Sequence, residues 1–194
     1  MTESGPETGE QAGEARRTVL LVDGENVDAT LGGSILGRRP QPEERPRWER
    51  LLQFCRDRWA NDDVVGLFFL AANDPLPMPF VQALLAIGYK PVPLSGASHQ
   101  KVVDLAIQRT LEALRASRDD VMLVSHDGDF LPQLKDVCDG RRVGVMGFRE
   151  FCNLGFSELG VEFFDLEYDV RAFNGSLPRI RIIPIDEFDP RDFL

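Results

Sequence analysis

Cysteine is scarce in this sequence. The chain of 194 residues holds three cysteines, Cys55, Cys138 and Cys152, and they form no CxxC pair. This odd, unpaired set excludes a disulfide framework and a zinc site built on paired cysteines. We therefore expect the thiols to be buried as small hydrophobic groups in a reducing compartment.

Long apolar runs are also missing. No stretch approaches the roughly 18 consecutive apolar residues that indicate a membrane-spanning helix. Residues 1–17 are polar and acidic and lack the apolar core of a signal peptide. Hydrophobic residues nevertheless make up 43% of the chain, which is enough for one domain with a sizeable core. We predict a cytoplasmic globular protein with no membrane contact.

Positive charge is in deficit, since the formal net charge is −10. This argues against a general nucleic-acid binder that works by attraction to the phosphate backbone. The tails carry part of the excess: residues 1–17 hold four Glu against two Arg, and residues 165–194 hold seven acids against four Arg. A bound cation would offset some of the remaining acids, so the acidity weakens a nucleic-acid function without excluding it.

Apolar segments of strand type alternate with segments of helical spacing between residues 17 and 171. The strand-like segments show no polar alternation, which predicts burial on both faces and a mostly parallel sheet between two helix layers. We therefore predict an α/β fold, a three-layer α/β/α sandwich with five to six strands. The predicted strands are residues 17–22, 64–72, 89–95, 120–125, 141–148 and 161–167, and the predicted helices are residues 48–60, 80–88, 98–117, 129–139 and 149–160.

Glycine, serine and proline residues predict where individual helices and strands begin, end or lie in the sheet. Gly88 ends a helix, Ser98 is available as an N-cap, and the two prolines of residues 89–95 place that strand near a sheet edge. Residues 32–46 are expected to be a loop. Residues 1–16 are predicted to be a disordered acidic tail, and residues 172–194 an extended arm that docks on this domain or on a partner.

Carboxylates and one amide follow the predicted strands. Asp23 and Asn26 come after the first strand in VLLVDGENVD, and Asp127 and Asp129 come after the fourth in VMLVSHDGDF. Asp104, in KVVDLAI, lies in the second turn of the predicted helix of residues 98–117. The first and fourth strands of such a sheet can be neighbours at the topological switch point, where ligands bind beyond the carboxyl ends. The three segments are therefore expected to meet at one pocket.

A divalent cation explains this crowding of acids most simply. The set is all oxygen, without a His or Cys cluster, which favours Mg²⁺ or Mn²⁺ and metal-assisted phosphodiester chemistry. Each acid also has an ordinary interpretation: Asp23 in a strand-ending turn, Asp127 as an N-cap, Asp104 paired with Lys101. Taken together, these ordinary interpretations do not explain why three separate segments place acids at the same edge of the sheet.

The segments VLLVDGENVD, KVVDLAI and LVSHDGDF resemble the three motifs of the NYN domain family, within the PIN-like nucleases, and the small bacterial LabA-like proteins in particular. The resemblance covers about residues 18–165. It implies a PIN-like fold and a metal-dependent endoribonuclease that acts on RNA, expected to be single-stranded, and leaves a 5′-phosphate. It also implies roles for the matching residues. Asp23, Asp104 and Asp127 would be the metal acids, Asn26 and Asp129 would be supporting ligands or groups that position the ligands, and Ser125 would orient a carboxylate or a water.

Substrate contacts are expected around this centre. His126 departs from the family pattern, which has a small residue there; its ring is expected to point either to solvent or to the scissile phosphate. Lys101, one turn before Asp104, is a candidate phosphate contact. Arg38 and Arg39 could clamp phosphates while Trp48 stacks a base, unless this loop is merely solvated and Trp48 packs at the start of the next helix.

The same residues argue against other enzyme classes. A HAD-type phosphatase needs a second Asp two positions after the nucleophile, where this chain has Glu25. No GxxxxGK or GxGxxG segment supports a nucleotide fold. The serious alternative is a non-catalytic PIN-like module that binds RNA or a protein, as a homodimer or through the C-terminal arm.

Overall fold

Six parallel strands form one sheet in the computed structural model, which describes residues 16–72, 75–97, 100–179, 183, 185–192 and 194. The strand order is β3-β2-β1-β4-β5-β6. The predicted α/β fold class is confirmed, and so are the position of β3 at a sheet edge and the pairing of the first and fourth strands. The strands are β1 (Thr18–Asp23), β2 (Val64–Ala71), β3 (Tyr89–Leu94), β4 (Asp120–Val124), β5 (Val143–Gly147) and β6 (Glu162–Asp165).

Helices cover both faces of the sheet. They are α1 (Gly24–Thr30), α2 (Trp48–Trp59), α3 (Met78–Ala86), α4 (Val102–Leu114), α5 (Leu131–Val137) and α6 (Gly155–Glu158). One core packs α1, α2 and α3 on one face, and a second packs α4, α5 and α6 on the other. Among the described residues, no helix is long and apolar enough to cross a bilayer.

Strand β1 is buried along its whole length and serves both cores. Leu20 and Val22 belong to the core of α1–α3, whereas Val19 and Leu21 belong to the core of α4–α6. This alternation follows from the period of two in a strand. Each such side chain contributes roughly 1.5–3 kcal/mol by burial, so the central strand and its carboxyl end are held rigidly.

One loop prediction and one helix prediction were wrong. Helix α1 and a π-helical turn (Leu31–Leu36) directly follow β1, where a loop from residue 32 was expected. The reason is that the Asp23 side chain accepts a hydrogen bond from the backbone N–H of Asn26 and so caps α1. Residues 149–160 hold only a 3₁₀ turn (Arg149–Phe151) and α6, because the side chain of Asn153 bonds the backbone N–H of Gly155 between them.

Smaller differences concern element ends. Helix α4 begins at Val102 with Lys101 at its cap position, and the expected cap Ser98 lies outside the described residues. The predicted tail also falls outside them, apart from residue 16. Helix α3 is followed by Gly88 with φ +97°, as expected for a left-handed stop. The three cysteines are free thiols; Cys55 is buried as predicted, but Cys138 is exposed.

The first part of the C-terminal arm packs on this domain. Arg50 donates to the carbonyl oxygens of Arg171 and Phe173 at 2.9 and 2.8 Å. Further along, the guanidinium of Arg179 is only 2% exposed and contacts three carboxylates. Those carboxylates belong to Asp165, Glu150 and Glu167, at 2.6, 2.5 and 2.9 Å.

Removing the Arg179 guanidinium should destabilise the fold strongly. Arg179→Ala leaves the carboxylate of Asp165, which is 1% exposed, without its partner, and an uncompensated buried charge costs roughly 3–5 kcal/mol. The matched control is Arg191→Ala in the same arm, because the Arg191 side chain is 87% exposed beside Asp189 and should contribute less than about 1 kcal/mol. Urea denaturation measures both. If both variants lose the same small amount of unfolding free energy, the contacts of Arg179 do not stabilise the domain.

Candidate active site

The predicted site residues lie at the carboxyl edge of the sheet. Asp23 is the last residue of β1, and β1 pairs in parallel with β4, with Val22 opposite Val124. The turn after β4 carries Asp127, and α4, which follows β3, carries Asp104 in its first turn. Three segments that are distant in sequence therefore end at one place, because neighbouring parallel strands share their carboxyl edge.

Carboxylates from these three segments line one cavity of about 410 Å³. Asp23, Asp104 and Asp127 all contribute to its wall, together with Asn26 and Lys101. Asp129 stands at the rim, with its side chain 62% exposed. One carboxylate oxygen each of Asp104, Asp127 and Asp129 lies within 4.8 Å of the others. The close group is therefore Asp104, Asp127 and Asp129, whereas Asp23 shares the cavity wall with Asp104 and Asp127 and lies outside that group.

Asp23 is the buried member of the set, at 3% exposure. Its Oδ1 accepts from the N–H of Asn26 at 3.1 Å, and its Oδ2 accepts from the hydroxyl of Ser125 at 3.2 Å. Burial raises the pKa of Asp23 to about 6; the Asn26 hydrogen bond opposes the rise, and the negative charge of Asp104 adds to it. Ser125 therefore orients a carboxylate.

Asp127 caps the turn that follows it and also lines the cavity. Its Oδ1 accepts from the N–H of Asp129 at 2.9 Å, and its own N–H donates to Ser125 Oγ at 3.2 Å. The expected N-cap is therefore present, and the same side chain still lines the cavity. A Cβ atom at Gly128 would meet the side chain of the exposed Asn153, so a larger residue there would have to displace that side chain.

Lys101 places one positive charge among the acids. Its Nζ lies 3.2 Å from Asp104 Oδ2 and 3.6 Å from an oxygen of Asp129. The i,i+3 pair considered from the sequence therefore exists. Because the Lys101 side chain is 69% exposed, the pair contributes little to stability, and the ammonium group can turn from these acids toward a bound phosphate.

The expectation that the His126 ring points to solvent is wrong. The residue is 6% exposed, so its ring does not point to solvent, and its two ring nitrogens are used inside the protein. Nε2 accepts from the N–H of Phe148 at 2.7 Å, and Nδ1 lies 2.8 Å from Asn26 Oδ1. Burial lowers the pKa of His126 to about 4. The ring is therefore neutral at pH 7, and both of its nitrogens face groups of the protein.

The loop that holds Arg38 and Arg39 has one arginine in an ion pair and one exposed to solvent. Arg38 forms a two-pronged ion pair with Glu44 at 2.7 and 2.5 Å, whereas Arg39 is exposed. Both border a second hollow of about 530 Å³. Trp48 is 8% exposed and packs edge-on against Phe68 at 4.9 Å. The expectation that Trp48 stacks a base is therefore wrong, and its packing at the start of α2 is confirmed.

Glu25 is a site residue that the sequence arguments did not include. It lines the acidic cavity and also the hollow beside Arg38 and Arg39, so the two spaces adjoin. Its Oε1 accepts from the N–H of Ala71 at 3.1 Å, which ties α1 to the end of β2. Its position two residues after Asp23, directly beyond a buried strand, was the available signal.

The donor set fits a hard divalent cation. Carboxylate oxygens outnumber positive groups in the cavity, and the raised pKa of Asp23 shows that burial there disfavours an unneutralised charge. Mg²⁺ and Mn²⁺ prefer such all-oxygen surroundings. A cation would restore ionisation of Asp23, because a nearby positive charge favours the charged form.

Comparison with known proteins gives the family. A sequence model of the NYN domain matches residues 17–158. The chain belongs to the NYN domain family. No curated protein matched it. A solved structure of a protein of unknown function, VPA0982 from Vibrio parahaemolyticus, superposes with a TM-score of 0.62 at 19% identity, over 82% of this chain and 98% of that one. That likeness supports the fold alone, and the all-parallel six-stranded NYN sheet is consistent with a PIN-like fold.

The raised pKa of Asp23 predicts that this residue reduces the stability of the metal-free NYN domain. Above about pH 6 the folded protein must keep a buried charge, whereas below pH 3.8 the group is protonated in both folded and unfolded states. Asp23→Asn should therefore raise the free energy of unfolding at pH 8, by at most ~3 kcal/mol. The gain should shrink as the pH falls and vanish below about pH 4.

Urea denaturation at pH 8 and pH 4, both with a chelator, measures this effect. Asp57→Asn is the matched control, because Asp57 is exposed on α2 and the same charge change there should alter stability by less than about 0.5 kcal/mol. A variant at position 23 that is no more stable than wild type at pH 8 would contradict the account of a costly buried charge.

Proposed function

We propose that this NYN domain is an endoribonuclease that hydrolyses phosphodiester bonds of single-stranded RNA with Mg²⁺ or Mn²⁺. The observation that carries the proposal is the single cavity shared by Asp23, Asp104 and Asp127. Family membership supports a nuclease in general terms. Asp129, with an oxygen within 4.8 Å of Asp104 and Asp127 oxygens, completes the proposed ligand set.

The roles of the protein groups follow from their positions. A divalent cation, when bound, supplies an acidified water and a Lewis acid for a phosphate oxygen. Asp23 is held for ligation by Ser125 and by the backbone N–H of Asn26. Lys101 stands at the open side, where its ammonium group can leave Asp104 for a phosphate oxygen. In-line attack of a water on the phosphorus would break the bond to the 3′ oxygen, which takes up the proton lost by the water and leaves as a 3′-hydroxyl; the other product then carries a 5′-phosphate, as the family resemblance implies.

RNA would approach from the arginine side. The hollow beside Arg38 and Arg39 adjoins the acidic cavity through Glu25, so a strand lying across both would place one phosphate at the metal and another near Arg39. The net charge of −10 disfavours RNA binding by long-range attraction. RNA affinity should therefore depend on the divalent cation.

A non-catalytic RNA- or protein-binding module is the second candidate. The observation in its favour is Lys101, whose ammonium group already neutralises Asp104 and Asp129 within the domain. The cytoplasmic location, homodimer and protein partner remain predictions. Because residues 172–179 pack on this domain, a partner reached through the arm would have to bind beyond them.

Asp127→Asn should abolish cleavage. Loss of groups that merely support metal ligands typically costs about 10–100-fold in activity, so loss of a ligand should cost at least about 100-fold. Single-turnover cleavage of a labelled single-stranded RNA in Mn²⁺ measures it, with a chelator blank. Asp57→Asn is again the control, because α2 ends at the amino edge of the sheet, opposite to the site, and its activity should equal that of wild type.

Equal cleavage by wild type and Asp127→Asn would indicate a contaminating nuclease. The proposed activity would then be rejected, and the non-catalytic module would remain.

Arg39→Ala tests the path of the strand. The exposed Arg39 is expected to contact one phosphate, so the substitution should weaken RNA binding and reduce the slope of log affinity against log salt by about 0.7. Binding is measured in Mn²⁺ with a single-stranded RNA whose linkages resist hydrolysis, so that every proposed metal ligand is kept. Arg58→Ala, at the opposite edge beside Glu162, serves as a control of equal charge. Unchanged affinity after replacing both Arg38 and Arg39 with Ala would reject the phosphate clamp.

A further inference from the structure

The side-chain amide of Asn26 has a defined orientation. The backbone N–H of His126 points at one atom of this amide at 2.9 Å. A backbone N–H is always a donor, so the atom that faces it must be the oxygen, Oδ1. The amide of Asn26 therefore cannot be turned over without setting two donors against each other.

The ring of His126 occupies the same oxygen. Its Nε2 lies 2.7 Å from the N–H of Phe148 and must accept that hydrogen bond. The proton of the neutral ring is then on Nδ1, which donates to Asn26 Oδ1 at 2.8 Å. The hydroxyl of Thr30 stands 3.3 Å from the same nitrogen. The tautomer of His126 and the orientation of the Asn26 amide are therefore fixed together.

The ring itself is fixed by packing. It stacks on Phe148 with 5.4 Å between ring centroids and 6° between the planes. The guanidinium of Arg179 lies 4.9 Å from the centroid of the same Phe148 ring. Because Arg179 is held by buried carboxylates, a rigid stack connects the C-terminal arm with the hydrogen-bonded pair of His126 and Asn26.

These contacts determine what Asn26 can offer a ligand. Oδ1 already accepts two hydrogen bonds, one for each lone pair. Asn26 nevertheless lines the acidic cavity, and among the described residues its NH₂ group donates to no protein acceptor. The polar group that remains for a ligand is therefore a donor, which suits a phosphate oxygen and not a cation.

We propose that Asn26 acts as a hydrogen-bond donor to the RNA phosphate rather than as a metal ligand, and that His126 is the positioning residue that aims it. This inference rests on the proposed nuclease function for its substrate. It replaces the first of the two roles that the family resemblance leaves open for Asn26, that of a supporting metal ligand. It also explains why a histidine occupies a position where a small residue is expected: the ring supplies a second donor to Oδ1.

A double-mutant cycle tests the inference. The variants are Asn26→Ala, His126→Phe and the two combined; Phe keeps a ring of similar size on Phe148 but has no donor. Each single variant should slow single-turnover cleavage by about tenfold to a hundredfold, the loss expected when a hydrogen bond to a charged group is removed. The combined variant should be no slower than the slower single variant, because both changes remove one interaction.

Two further readouts separate positioning from a merely structural role. Mn²⁺ affinity, measured by calorimetry, should stay within about twofold of wild type in all three variants. Leu52→Ala, a truncation of a buried side chain on α2, should lower stability while leaving the cleavage rate unchanged. A tenfold loss of Mn²⁺ affinity in Asn26→Ala would overturn the inference, as would losses that multiply in the combined variant.

Failure of the proposed function itself would be visible separately. If wild type cleaves no faster than Asp127→Asn, the nuclease proposal fails, and the donor role is then judged on RNA binding in Mn²⁺. Equal weakening by the two single variants, with no further loss in the combined variant, would support a donor to phosphate. Unchanged RNA affinity in both single variants would overturn it.

Discussion

The parallel pairing of β1 with β4 is the constraint on which the site depends. It sets Val22 opposite Val124, so the residues that follow both strands reach the same edge of the sheet. The hydrogen bond from Ser125 to Asp23 exists only because of this register. A slip by one residue would reverse the face of every side chain in β1, and both cores oppose it because they bury alternate residues of that strand.

The same arrangement makes the metal-free site costly. A carboxylate at 3% exposure has few donors beside it, and its pKa of about 6 expresses that cost. Lys101 offsets part of the negative charge from the exposed side, while the buried side relies on one hydroxyl and one backbone N–H. Stability therefore comes from elsewhere, from the two apolar cores and from the buried ion cluster around Arg179. Ionisable groups with strongly shifted pKa values are typically found at functional sites, where their cost is offset by stabilising contacts elsewhere in the protein.

Much of this could be predicted from the sequence, but not the orientation of particular side chains. Apolar runs indicated the strands, and Asp23 and Asp127 indicated the edge where the site lies, because both signals are local. The orientation of His126 depends on the N–H of Phe148, 22 residues away, and no local pattern contains that contact. Trp48 could either stack on a base or pack on Phe68, and only the packed sheet decides between these. Helix α1 was not predicted, because Asp23 both ends β1 and caps α1, and the sequence shows no turn segment between the two elements.

In the proposed function, carboxylates from three separate segments hold the same divalent cation. Anomalous diffraction from crystals grown with Mn²⁺ would locate that ion. We expect a peak inside the cavity within ligand distance, about 2.0–2.3 Å, of oxygens from Asp104 and Asp127, with Asp23 bound to it directly or through water. A cavity without a peak, or Mn²⁺ found only on exposed acids elsewhere, would show that these carboxylates do not form a metal site.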